Sequence, residues 1–199
     1  MTRRILIIED TPTIARVQKH IAQKVGYEAD IAGNLAEAKE LISKHSYFCA
    51  VVDFILPDAP TGEAVPCTIA ADIPTIVMTG NLDETTRNIV EKHPIIDYIT
   101  KENKQAYQYL EKQLARLPRN EQILVLVVDD SAATRHHICN LLTRHKYQTI
   151  EAVDGVDALK VLAENPKISV IITDNEMPNM NGDELCVEIR RLYSNDEKA

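Results

Sequence analysis

The chain has 199 residues, 45% hydrophobic and 26% charged, which is the balance of a packed globular protein and enough length for one domain and most of another. Its net charge of −8, with most of the excess beyond residue 120, argues against nucleic acid as a direct partner. Its N-terminal apolar run covers only residues 5–8, short of the roughly 7–15 of a secretory signal and the roughly 20 of a membrane span, and Cys49, Cys67, Cys139 and Cys186 form no CxxC pair, so free thiols in a reducing cytoplasm are expected.

In chain order, the first element is a strand near 4–9. Residues 12–25 predict a helix that opens on Pro12 and carries Ile14, Val17, Ile21 and Val25 as its apolar stripe. A strand near 28–32, a helix over 35–44 and a strand near 49–53 follow. The segment after Asp53 predicts a short third helix interrupted by Pro66. Strands near 74–79 and 96–100 flank a helix over 84–92, and a helix over 102–117 closes the set. Pro118 then breaks the pattern, and 118–122 reads as a linker.

The pattern begins again. Ile5-Leu6-Ile7-Ile8-Glu9-Asp10 matches Val125-Leu126-Val127-Val128-Asp129-Asp130 at an offset of 120, and Tyr27 matches Tyr147. Ala50-Val51-Val52-Asp53 matches Ile171-Ile172-Thr173-Asp174. A period this long means two copies of a domain, over 1–117 and 123–199. Alternating strands and helices predict a doubly wound α/β fold with a parallel sheet. Short apolar runs suit strands buried on both faces.

Ligands of such sheets bind at the carboxyl ends of the strands, where the acidic residues lie. Glu9 and Asp10 end the first strand and Asp53 the third; Asp129, Asp130 and Asp174 repeat the arrangement. One such carboxylate has an ordinary reading as a helix cap. Three together repel, by roughly 4 kcal/mol for a pair about 4 Å apart at an effective dielectric near 20. A cation would offset that cost, and all-oxygen ligands in an open site suit Mg²⁺. Thr79 ends the fourth strand and Lys101 the fifth. A hydroxyl and an ammonium facing a metal and a carboxylate make a phosphoryl-transfer site, with the carboxylate as nucleophile.

The ordered set Glu9-Asp10, Asp53 with Leu56-Pro57, Thr79-Gly80 and Lys101 resembles the receiver-domain family of bacterial two-component response regulators. The resemblance covers 1–117 fully and 123–199 as far as the second copy extends. It implies the flavodoxin-like receiver fold, a five-stranded parallel sheet in the order 2-1-3-4-5, followed by a partial second copy. It implies that Glu9, Asp10, Asp53 and the Ile55 backbone carbonyl hold Mg²⁺. Asp53 would take a phosphoryl group from a histidine kinase or phosphotransfer protein. Thr79 and Lys101 would meet the phosphate, and Tyr98 would be the switch aromatic that turns as Thr79 moves inward. In the second copy it implies Asp129, Asp130, Asp174 and the Glu176 carbonyl as metal ligands, with Asp174 as the phosphoacceptor candidate.

The departures are specific. Glu102 follows the lysine where the family usually has proline. The loop after Asp53 has one more residue before Gly62 than the loop after Asp174 has before Gly182. By alignment, the fourth strand of the second copy would begin where the chain stops. A sheet ending at its third strand would expose apolar residues, so a longer natural chain is expected, with Asp174 a poor phosphoacceptor for want of its threonine and lysine. His136-His137 reads as exposed helix, and Cys139 and Cys186 as core. The expected role is regulatory rather than enzymatic, with a diguanylate cyclase as the leading output and a homodimer through receiver faces as an association. Two other readings are open. A pseudo-receiver would act by dimerisation alone. A phosphatase of the haloacid dehalogenase type would want a second aspartate two positions after the nucleophile, where Ile55 and Glu176 stand.

Overall fold

The computed structural model describes residues 2–80, 86–87 and 92–193. The chain forms two compact units, Met1–Arg116 and Leu117–Ala199. The first is a five-stranded parallel sheet of β1 (Arg4–Ile8), β2 (Glu28–Ala32), β3 (Cys49–Asp53), β4 (Thr75–Thr79) and β5 (Asp97–Thr100), in the order β2-β1-β3-β4-β5. Ile5, Leu6, Ile7 and Ile8 are all fully buried. Successive strand side chains point to opposite faces, so β1 is covered on both sides, as its unbroken apolar run requires. Helices Pro12–Lys24, Leu35–Lys44, Ala64–Ala70 and Lys104–Asn120 provide the cover. The helix expected over 84–92 falls largely outside the described residues.

Three local features depart from expectation. The helix Pro12–Lys24 buries Ala15, Gln18, Ile21 and Ala22, while Val17 is exposed and Ile14 only half-buried. The packed face is therefore rotated from the predicted stripe. Pro66 interrupts nothing: it is the third residue of Ala64–Ala70, inside the first turn, where the N–H that proline lacks has no helical partner anyway.

The final helix runs through Pro118 to Asn120, so most of the expected linker is helical. Proline has no N–H for the carbonyl four residues back, that of Leu114. The buried Tyr27 hydroxyl donates to that same carbonyl at 2.9 Å. The orphaned acceptor is thus satisfied from another element, and the helix survives its proline.

The loop after β3 is closed by a turn of its own. Leu56 and Ala59 exchange backbone hydrogen bonds of 3.2 and 3.1 Å in a tight turn with both side chains buried. Asp58 projects from this turn and accepts from the N–H groups of Leu35 (2.8 Å) and Ala36 (3.0 Å), capping the helix Leu35–Lys44. Gly62 follows at φ 88°, and a Cβ there would run into the Phe54 ring, so only glycine closes this loop.

The second unit holds β6 (Leu124–Val128), β7 (Gln148–Ala152) and β8 (Ile168–Thr173) in the order β7-β6-β8, with helices Ala132–Arg144, Gly155–Glu164 and Gly182–Leu192. β6 is covered like β1, but Val170 and Ile172 of β8 are exposed, whereas every residue of β3 is buried. Asn181 and Glu184 form a reciprocal capping box at the last helix. His136 and His137 are exposed, as expected. Cys139 is buried, but Cys186 is exposed rather than core.

Candidate functional site

The chain leaves β1 toward β2 on one side and returns as β3 on the other. The carboxyl ends of β1 and β3 therefore flank the switch point where crevices form in such sheets. Glu9 and Asp10 follow β1 directly and Asp53 ends β3. One carboxylate oxygen from each of Glu9, Asp10 and Asp53 lies within 4.8 Å of the others. Glu9 and Asp53 are buried and Asp10 is exposed, so the rim opens to solvent on the Asp10 side.

Lys101 follows β5, held there by its N–H donating to the Thr79 carbonyl at 2.7 Å. Its Nζ donates to Glu9 Oε2 and to Asp53 Oδ2, both at 2.6 Å, and its side chain is only 8% exposed. Burial pushes the Glu9 carboxyl above the ordinary carboxylate range, against the pull of the Lys101 ammonium. Thr79 is fully buried at the end of β4, next to Met78, the register partner of Asp53. The N–H of Ile55 donates to Asp53 Oδ1 at 3.3 Å. Tyr98, on β5 opposite Val77, is half-buried against the core cluster that includes Val52 and Val77. The turn at Lys101–Glu102 contains no proline and leads to Asn103, whose side chain accepts from the N–H groups of Gln105 and Ala106 and starts the last helix of the unit.

Gln18 was not expected at this site. It is buried, and its Nε2 donates to Glu9 Oε2 at 3.3 Å. Periodicity pointed to a stripe through Ile14 and Val17 and left Gln18 outside. The repeat held the signal: the residue 120 positions on is Ile138, an apolar residue at the same place in its helix.

The second unit does not reproduce the cluster. Among the described residues, Asp129, Asp130 and Asp174 do not bring their oxygens together as Glu9, Asp10 and Asp53 do. Asp129 Oδ1 accepts from the Ser131 N–H and Asp174 Oδ1 from the Asn175 N–H, both at 2.8 Å. Asp174 and Glu176 are exposed. Glu9 and Asp53 make comparable backbone contacts, but among the described residues no lysine draws Asp129 and Asp174 together as Lys101 draws Glu9 and Asp53.

The donor set of the first unit fits a divalent ion of the Mg²⁺ type. It is all oxygen. An ion with ligands at 2.0–2.1 Å keeps any two of them within about 4.2 Å, so oxygens within 4.8 Å need only a small adjustment.

This sheet order and acidic rim define a receiver of two-component signalling. Residues 5–113 and 125–197 match the family described as response regulator receiver domain, and the chain belongs to that family. It is 46% identical over 67 residues to the chemotaxis protein CheY homolog of Campylobacter jejuni, covering 33% of this chain and 52% of that protein. It is 42% identical over 73 residues to the sensor histidine kinase RcsC of Salmonella typhimurium, covering 37% of this chain and 8% of that protein. The chain thus spans a small part of the kinase and about half of the chemotaxis protein. A solved structure described as a putative two-component system response regulator/ggdef domain protein aligns over 99% of this chain and 80% of its own length, with a TM-score of 0.87 and 35% identity.

Proposed function

We propose that Asp53 is a Mg²⁺-dependent phosphoacceptor, taking its phosphoryl group from a phosphohistidine on a histidine kinase or phosphotransfer protein. The observation that carries this reading is the convergence of Glu9, Asp10 and Asp53 with Lys101 bridging two of them through buried 2.6 Å hydrogen bonds. An Asp53 carboxylate oxygen attacks phosphorus, the P–N bond breaks, and the imidazole leaves with the electron pair, so an acyl phosphate replaces a phosphoramidate. Bound at Glu9, Asp10, Asp53 and the Ile55 carbonyl, the ion would neutralise charge on the transferred oxygens. Lys101 exchanges Asp53 Oδ2 for a phosphoryl oxygen, and Thr79 donates its hydroxyl to another. The inward shift of Thr79 makes room for Tyr98, so that a local charge change biases the face carrying β5.

The same reading extends to an output domain. The solved relative named above carries a ggdef domain in its description, which fits a diguanylate cyclase under receiver control. Among the described residues no helix is long and apolar enough to cross a membrane, which is compatible with the cytoplasmic location proposed here. Association as a homodimer through receiver faces belongs to the same reading, and the domain boundary is proposed to fall at 118–122.

The test uses acetyl phosphate, whose P–O bond breaks with acetate leaving. Incubation with Mg²⁺ should give one phosphoryl adduct by intact mass, absent in Asp53→Asn and after chelation. An adduct that persists in Asp53→Asn would refute the assignment, as would none in the wild type.

A further inference from the structure

Glu9 and Gln18 differ between the two units as a pair. The helices Pro12–Lys24 and Ala132–Arg144 correspond residue for residue at an offset of 120. Glu9 therefore corresponds to Asp129 and Gln18 to Ile138. Ile138 packs against Val125 and Val127, so the position faces the sheet and accepts an apolar residue. In the first unit it carries an amide that is 1% exposed, with Oε1 lacking a hydrogen-bond partner. A buried carbonyl without a donor is a cost that the fold does not impose here, since the second unit avoids it. What the amide gains is its other end, where Nε2 donates to Glu9 Oε2 at 3.3 Å.

The length of the acidic residue explains the pairing. The first oxygen does the same work in both units: Glu9 Oε1 accepts from the Thr11 N–H at 3.3 Å, and Asp129 Oδ1 from the Ser131 N–H at 2.8 Å. Glutamate has one more methylene and one more torsion than aspartate, so tying down one oxygen leaves the other free to swing. Glu9 Oε2 is held from two sides, by Lys101 at 2.6 Å and by Gln18. Lys101 must change partners when a phosphoryl group arrives, whereas Gln18 is bound to nothing that moves in the reaction.

We propose that Gln18 is a positioning residue: its amide holds Glu9 Oε2 in line with Asp10 and Asp53 for a divalent ion, a hold that the shorter Asp129, paired with Ile138, does without. This rests on reading the rim as a Mg²⁺ site.

The test is calorimetric titration of Mg²⁺ into the full chain, paired with thermal melts without the ion. Gln18→Met keeps the length and removes the amide; it should weaken Mg²⁺ binding about tenfold, the usual scale for losing a group that orients a ligand. Glu9→Asp alone should also weaken it, and the double variant Glu9→Asp/Gln18→Ile should bind no more weakly than Glu9→Asp, because the amide then has no Glu9 oxygen left to hold. Wild-type affinity in Gln18→Met, or losses that simply add in the double variant, would overturn the proposal. If Gln18→Met fails to fold, Gln18→Asn keeps an amide that falls short of Glu9, and must show the same weakening. A wild-type chain that binds no Mg²⁺ refutes the metal-site reading and this inference together. A wild type that binds, with Gln18→Met unchanged, refutes the inference alone.

Discussion

Replacing Lys101 by methionine removes the cation that sits between two buried carboxylates and keeps most of the side-chain volume. Glu9 and Asp53 then face each other with oxygens within 4.8 Å, a repulsion of about 3.5 kcal/mol at an effective dielectric near 20. That agrees with the roughly 3–5 kcal/mol lost when one partner of a buried ion pair is removed. The first unit should therefore lose about 3 kcal/mol, close to 10 °C in melting temperature for a unit of this size. Urea denaturation with and without Mg²⁺ is the assay. Lys101 Nζ occupies the oxygens a divalent ion would take, so Lys101→Met should bind Mg²⁺ more tightly than wild type. Saturating Mg²⁺ should then recover more stability in the variant than in the wild type. A variant as stable as wild type in chelator would show that the two carboxylates do not confront each other, and the account of the site would fail.

Other expectations concern the scaffold. Tyr27→Phe removes the donor to the Leu114 carbonyl and should cost about 1–3 kcal/mol, the penalty for an unsatisfied buried acceptor; adding Pro118→Ala, which restores a helical N–H, should return part of it in a double-mutant cycle. Asp58→Ala leaves the Leu35 and Ala36 N–H groups uncapped and should lower the melting temperature, with Asp58→Asn milder. Asp30 is held below the ordinary carboxylate range because hydrogen bonds from Tyr47 and Arg4, with the Arg4 charge, outweigh the opposing effect of burial. Its contribution is fully present above its unfolded pKa of about 3.9 and is lost as pH falls through the lower folded value; Asp30→Asn should flatten that acid limb in pH-dependent melts.

Receiver membership, the sheet order and the strand ends bearing Glu9, Asp10, Asp53, Thr79 and Lys101 were all legible in the sequence. Buried parallel strands announce themselves as short apolar runs, and a polar residue that ends such a run has to lie at the rim. The repeat doubled the signals of the first three strands, those that lead to Glu9-Asp10 and Asp53. Which face of the helix Pro12–Lys24 packs was not legible, because the sheet beneath it selects Ala15 and Gln18 over Ile14 and Val17. Nor was the fate of Pro118, decided by a tyrosine hydroxyl 91 positions earlier in the chain. The two acidic triads look alike as text. Among the described residues only one converges, the one in which Lys101 reaches across from β5 to both Glu9 and Asp53; the contact with a nearby backbone N–H is common to Glu9, Asp53, Asp129 and Asp174. Local pattern determines where a side chain leaves the backbone; what it meets there depends on elements far away in sequence, and only packing brings those together.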